Sequence, residues 1–309
     1  MKIVFMGTPH YATVILDRIL QENIEVMALF TQPDRAVGRR QTLTPPDVKK
    51  YILEKELDIE IYQPTTLRDE KIYRNLTNLN PDFIVVAAYG QILPKEILDI
   101  CPCINLHASI LPKYRGASPI QSAILNGDKI GGVTAMKMDI GLDDGDMLAF
   151  SFDDIEGLNS SELFVKFSQM AASLIIEVLK NYDKIAPLKQ LDALSSKCPK
   201  IKKEDGLVKF SDDVDEVMAK FRAFYPWPGV FLENNTKLLQ IAKAANKSSS
   251  SYGKITKISK ESFSVGFSSG DIEIFKLQES GKKPLLARDF INGKRLKEGD
   301  RFDENILSK

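Results

Sequence analysis

Histidine is almost missing from this chain. His10 and His107 are its two imidazoles in 309 residues, which leaves few candidates for acid or base chemistry near neutral pH. Cysteine is nearly as scarce: Cys101, Cys103 and Cys198 are too few and too oddly placed for a disulfide framework. Cys101-Pro102-Cys103 has neither zinc-ligand spacing nor neighbouring histidines, so all three are expected to be reduced structural thiols. No apolar run approaches the length of a membrane span, and the sequence passes straight into a strand pattern without a signal-peptide signature. A cytoplasmic protein is expected. Net charge is absent too, with 42 Lys and Arg against 42 Asp and Glu, and there is no internal repeat.

The charge that exists lies unevenly. Residues 1–189 hold 20 Lys and Arg against 25 Asp and Glu, whereas residues 190–309 hold 22 against 17. The basic second part favours contact with a polyanion, although a solvated lysine face has the same composition. The length exceeds one typical domain and suits two, with enough apolar residues for at least one large core.

Along the chain, KIVFMG (residues 2–7) is a buried-strand pattern, followed by helical spacing over 11–20. Further apolar strands at 26–31, 83–88, 103–107 and 132–138 alternate with helical stretches at 46–55, 94–100 and 119–126. Such alternation predicts an α/β fold, a doubly wound and mostly parallel Rossmann-like sheet whose sites gather at the carboxyl ends of strands. Tyr89-Gly90, His107 and Asp143 are all expected there. A long helix is predicted over 160–180 from Leu163, Phe167, Met170, Leu174 and Val178. The texture then changes. Residues 186–206 lack strong periodicity and read as a linker, a helix follows at 214–224, and short strands at 230–232, 238–242, 262–265 and 272–277 suggest a small β-barrel. Residues 248–253, SSSSYG, read as a surface loop. The predicted division is a catalytic domain over 1–189, a linker over 190–206 and a barrel domain over 207–309.

The most informative stretch is INLHASILPKYR (104–115) with GLDDGD (141–146). In an extended segment Asn105 and His107 leave the same face, and Asp143 lies in a loop after the apolar run GGVTAMKM, where it is able to orient the imidazole. An amide, an imidazole and a carboxylate form a constellation for acyl-group chemistry on an amine. An amide and an imidazolium stabilise a tetrahedral oxyanion, and a neutral imidazole or an ordered water accepts the proton of the amine. Asp139, Asp143, Asp144 and Asp146 also admit a metal reading, which is set aside because the run lacks the ligand spacing of a calcium loop. Gly7-Thr8-Pro9 lacks the G-x-G-x-x-G spacing, and Pro9 removes an amide that would face a phosphate, so no nicotinamide cofactor is expected. His10 is expected at the surface.

INLHASILPKYRGASPIQSAI with GLDDGDML resembles the signature of the folate-dependent formyltransferases. The likeness extends through MKIVFMGTPHYA, TQPDRAVGRR, PDFIVVAAYGQILP, RAFYPWPG and LQESGKKPLLARDFINGKRLKEGD, nearly the full length. The resemblance implies an enzyme of one-carbon metabolism and translation initiation, with Asn105 in oxyanion stabilisation, His107 in oxyanion stabilisation and proton transfer, and Asp143 tuning the imidazole and holding a water. It implies 10-formyltetrahydrofolate as donor, its pterin against the backbone of loops matching Tyr89, Gly90, Gln91, Ile92 and Leu93, and Asp139, Ile140, Gly141 and Leu142. Ser109 and Pro112 belong to a loop bordering the meeting point of donor and acceptor, where Ile110-Leu111 stands in place of the family's common Leu-Leu. No metal is expected, because formyl transfer has no need of one.

The acceptor implied by the resemblance is methionine esterified to initiator tRNA. Residues 31–50 form a long connection carrying Arg35, Arg39 and Arg40, and loops of this length in compact domains are usually functional. Arginines there suit RNA phosphates or splayed bases, and the matching family loop wedges against the acceptor stem. Lys200, Lys202 and Lys203, with Lys282, Lys283, Arg288, Lys294 and Arg295 further on, would add backbone contacts. The run RAFYPWPG (222–229) reads as a rigid aromatic corner. A monomer is expected. Two other readings stand beside this one: a formyltransferase of the same fold acting on an amino-sugar nucleotide, and a non-catalytic RNA-binding protein on the same scaffold.

Overall fold

The computed structural model describes residues 1–38, 40–245 and 252–302, and the chain divides into two compact units. The first takes in residues 1–123, 129–156 and 162–200. It opens with β1 (Lys2–Gly7), α1 (His10–Gln21), β2 (Glu25–Phe30), the hairpin β3 (Arg35–Val37) and β4 (Thr42–Thr44), α2 (Asp47–Glu54) and β5 (Glu60–Tyr62). There follow α3 (Glu70–Leu79), β6 (Phe83–Ala87), α4 (Lys95–Leu98), β7 (Cys103–His107), the two-residue β8 (Arg115–Gly116) and α5 (Pro119–Leu125). Next come β9 (Ile130–Lys137), β10 (Met147–Asp154), α6 (Ser160–Asn181) and β11 (Lys197–Cys198). The last residues of α5 and the first of α6 cluster with the second unit.

Seven strands form one sheet in the order β10-β9-β7-β6-β1-β2-β5. The pairs from β5 to β7 are parallel, while β9 is antiparallel to β7 and to β10. The run Ile3, Val4, Phe5 and Met6 is wholly buried, as expected of a central strand covered on both faces. One face packs Val4, Met6, Phe30, Ile84 and Val86 against Leu76 of α3 and Ile97 of α4. The register carries a row from Phe30 through Met6 and Val86 to Asn105 and on to Met136. Asn105 is thus a polar member of an otherwise apolar row, and His107, two residues on, shares its face.

The predicted strands and the long helix are present. Within this unit β5, α3, β10, the short β8 and β11 and the β3–β4 hairpin were not expected from the sequence. Asp143 follows the carboxyl end of β9 as expected, but β9 runs antiparallel to β7, against the mostly parallel direction of the sheet. Ile104 stands opposite Lys137, so the loop after β9 leaves the sheet beside the start of β7 and turns back to reach its side chains.

The second unit contains residues 201–309 with 124–128 and 157–161. Its elements are α7 (Val214–Ala223), β12 (Val230–Phe231), β13 (Lys237–Lys243), β14 (Ile255–Ile258), β15 (Phe263–Phe267), β16 (Gly270–Gln278), β17 (Leu285–Leu286) and α8 (Ala287–Lys294). The strands make an antiparallel sheet ordered β12-β13-β16-β15-β14, with β17 on β16. Phe263 stacks on Phe290 in its core while Phe302 lies tilted to the first ring and edge-on to the second, joined by Val265, Ile274 and Leu277. Of the surface loop expected at 248–253, residues 248–251 lie outside the described residues. No helix among the described residues is long and apolar enough to cross a membrane.

Candidate active site

The end of β7 presents Asn105 and His107 on one face while Leu106 turns to the other side. The carboxylate of Asp143 meets both. Its Oδ1 accepts from Asn105 Nδ2 at 3.3 Å, and its Oδ2 accepts from the Gly116 backbone N–H at 2.9 Å and lies 3.6 Å from His107 Nδ1. The last distance is too long for a good hydrogen bond and leaves an electrostatic contact. His107 Nε2 is 2.8 Å from the Tyr114 carbonyl oxygen, which can only accept, so Nε2 carries the proton in this arrangement. The imidazole is 6% exposed and Asp143 12%, so their interaction is less screened than a surface pair's. The three groups expected to act together are therefore brought together, within a loop framework that the sequence did not reveal.

That framework is strained in specific places. Ala88, Tyr114 and Asp143 have φ of 47°, 62° and 52°, a left-handed conformation unfavourable for residues with a Cβ and concentrated at functional sites. Gly116 has φ 127° and its backbone lies directly against the Cys198 carbonyl. The loop after β7 is pinned by Thr134, wholly buried on β9, whose Oγ1 donates to the Ser109 carbonyl at 2.7 Å and accepts from Leu111 N–H at 3.0 Å. Ser109 Oγ in turn donates to the Lys113 carbonyl at 2.6 Å.

A second fastening comes from the stretch read as a linker. Residues 188–199 run along the first unit as a strap. Leu188 exchanges backbone bonds with Met147, the Ser196 carbonyl accepts from Arg115 N–H, and Cys198 pairs with Gly116 in the β8–β11 ladder. Cys198 Sγ lies 3.1 Å from the same Tyr114 carbonyl that His107 contacts, and burial pushes its thiol up, so it stays protonated and donates. Gln190 Nε2 donates to the carbonyls of Asp143 and Gly145 at 2.9 and 2.8 Å, and its Oε1 accepts from Arg115 Nε at 2.9 Å. The sequence reading missed Thr134, Gln190 and Cys198 as parts of the site; a lone threonine in a strand and polar residues in an aperiodic stretch give no local signal.

The loop of residues 88–93 follows β6. Tyr89 buries its ring in the core and turns its carbonyl to Thr8 Oγ1 and Gln32 Nε2, at 2.9 and 3.2 Å. Gly90 has φ 86°, Gln91 donates to the Pro64 carbonyl, Ile92 is exposed and Leu93 is buried. In the other loop, Asp139 accepts from Ile140 N–H, Ile140 and Leu142 are exposed, and a Cβ on Gly141 would overlap the Asp144 carboxylate. Pro112 is half-buried.

Arg35 is exposed at the base of the hairpin and donates to Gln32 Oε1 at 3.0 Å, so the arginine hairpin and the 88–93 loop meet on one glutamine amide. Arg40 is exposed and Arg39 lies outside the described residues. Lys200 in the first unit, and Lys202 and Lys203 in the second, are exposed. His10 is exposed at the start of α1. Among the described residues no group of three or more His, Cys, Asp or Glu is disposed to hold a metal ion.

Residues 1–188 match the model of the formyl transferase family, and residues 200–295 match its C-terminal domain. A Campylobacter hominis protein named methionyl-tRNA formyltransferase is 63% identical over 98% of this chain and 100% of its own length. A Campylobacter lari protein of the same name is 57% identical, covering 97% of this chain and 98% of its own. Among solved structures, HypX from Aquifex aeolicus in complex with tetrahydrofolic acid superposes with a TM-score of 0.65 at 16% identity, covering 97% of this chain and 50% of HypX. The sugar 3N-formyl transferase WlaRD gives a TM-score of 0.66 at 19% identity, covering 92% of this chain and 99% of WlaRD. At those identities the two structures show a shared fold.

Proposed function

The chain belongs to the formyl transferase family, and from that membership we propose that it transfers the formyl group of 10-formyltetrahydrofolate to the α-amino group of methionyl initiator tRNA. The products are formylmethionyl-tRNA and tetrahydrofolate. The observation that carries the reading is the convergence of Asn105, His107 and Asp143, beside full-length likeness to proteins named for this reaction.

In the proposed mechanism the methionine nitrogen attacks the formyl carbon, the carbonyl oxygen becomes an oxyanion, and the carbon–nitrogen bond to the folate breaks as that nitrogen gains a proton. Asn105 donates to the oxyanion through the amide N–H not directed at Asp143. His107 supports the oxyanion and moves the proton. Because Nε2 is held by the Tyr114 carbonyl and Nδ1 faces Asp143, the imidazole takes up this role by exchanging the Tyr114 contact for the substrate. Asp143 stabilises positive charge on the ring and holds a water.

The donor's pterin is assigned to the backbone of residues 89–93 and 139–142, with Ser109 and Pro112 at the edge. Arg35, Arg39 and Arg40 contact the acceptor stem, and Lys200, Lys202 and Lys203 its backbone. Residues 1–189 act as the catalytic domain, 190–206 as the connection and 207–309 as an oligonucleotide-binding type barrel. The protein acts as a cytoplasmic monomer. The test is formylation of methionyl initiator tRNA by the purified protein, with an amino-sugar nucleotide and free methionine as competing acceptors. Turnover confined to the charged tRNA is expected, and turnover confined to the sugar would overturn the acceptor assignment.

A further inference from the structure

All of the strap after Leu188, residues 189–199, falls between the segments matched by the two family models, yet the strap contacts both loops that frame His107. It meets them in order. Leu188 pairs with Met147 at the end of the loop carrying Asp143, and Ser196 and Cys198 pair with the loop carrying Tyr114 and Gly116. Between these points the Gln190 side chain touches both loops at once. Its partners fix its orientation, since the carbonyls of Asp143 and Gly145 only accept and Arg115 Nε only donates.

Asp143 is thereby held at both ends. Its carboxylate faces Gly116, Asn105 and His107, and its carbonyl is held by Gln190 with the backbone at φ 52°. A non-glycine residue stays in that conformation only when its surroundings over-determine it. Gly145, the other carbonyl held by Gln190, packs so tightly against the end of β9 that a Cβ would stand 1.9 Å from the Lys137 carbonyl oxygen. Withdrawing the two donations leaves Asp143 free to relax about its own backbone, and the carboxylate moves with it.

We propose that Gln190 is a positioning residue for formyl transfer: by bonding Asp143, Gly145 and Arg115 together, it sets the Asp143 carboxylate against Asn105 and His107. The proposal rests on the catalytic reading above, and its test separates the two. Gln190→Leu removes all three bonds, whereas Gln190→Glu keeps the acceptor for Arg115 and loses the donations to the two carbonyls. Each variant is compared with the unaltered protein for kcat and KM on methionyl initiator tRNA, and for the ring NMR signals of its histidines, of which there are only two. Both variants are expected to lose kcat on the order of 100-fold, the effect of an ångström-scale misplacement, with KM for the tRNA nearly unchanged. The His107 signals move as they do in Asp143→Asn, and those of His10 stay. Should Gln190→Leu fail to fold, Gln190→Glu decides. Unmoved His107 signals with an intact kcat overturn the proposal. An unaltered protein that does not formylate the tRNA removes the catalytic reading, while the positioning claim is still judged by the His107 signals.

Discussion

Replacing Gly116 with alanine tests the packing of the strap against the site. A Cβ there would stand 2.3 Å from the Cys198 carbonyl oxygen and 3.4 Å from its Sγ, closer to the oxygen than real Cβ contacts come. The backbone at φ 127° is also in a region open to glycine and costly for alanine, about 1–3 kcal/mol. The obstructing atom is backbone, fixed by the Ala117 N–H to Cys198 carbonyl bond at 3.0 Å and the Arg115 N–H to Ser196 carbonyl bond at 2.8 Å. Relief therefore shifts the strap, as overpacking does at about 1–3 kcal/mol more. Together these predict a loss of about 2–6 kcal/mol. Gly127→Ala supplies the control, since Gly127 has φ 68° with no atom near its would-be Cβ and should lose about 1 kcal/mol. At about 2–4 °C per kcal/mol for a body of this size, thermal unfolding separates the variants. The Gly116 N–H also donates to Asp143, so Gly116→Ala should lower kcat while Gly127→Ala does not. Equal melting points and full activity in both variants would refute the packing argument.

Asp143→Asn leaves one carboxamide oxygen for two donors, Gly116 N–H and Asn105 Nδ2; it should cost about 1–3 kcal/mol of stability and lower single-turnover formyl transfer on the order of 10²–10³-fold. An undiminished rate would remove Asp143 from the chemistry. In the second unit, burial pushes the Glu279 carboxyl up, but the hydrogen bond from Lys282 and the charges of Lys294 and Lys282 outweigh it and hold the group below the usual carboxylate range. A carboxyl lowered in the folded state contributes stability above its unfolded pKa and loses it as pH falls through the folded value. Glu279→Gln should therefore cost about 2 kcal/mol at neutral pH, and the difference from the unaltered protein should vanish in acid; a gap independent of pH would count against the ion-pair account. Replacing Arg35 and Arg40 together should raise KM for the tRNA and reduce the salt slope of binding by about 0.7–0.9 for each phosphate no longer neutralised, with an unchanged slope placing both outside the RNA interface.

The elements legible in the sequence were those whose signal is local and repeated. KIVFMG and the run ending at His107 read as buried strands because a strand covered on both faces must be apolar throughout, and the helix Ser160–Asn181 announced itself by spacing. Asn105 and His107 were legible for the same reason, since the two-residue period of an extended chain puts both on one face. The short β5 and the exposed β3–β4 hairpin were not, because neither buries enough apolar surface to leave a pattern.

Tertiary structure alone decided how the site is assembled. The antiparallel setting of β9 determines that Asp143 approaches from the start of β7, and strand direction leaves no mark on a buried apolar run. Thr134, Gln190 and Cys198 reach the site loops across 25, 47 and 84 positions of sequence separation in their bonds to Ser109, Asp143 and Tyr114. The chain by itself determined which groups are chemically able to serve formyl transfer, because that depends on residue type. Long-range pairing determined where those groups point, because an amide or a thiol acquires its partners only when the loops have closed around it.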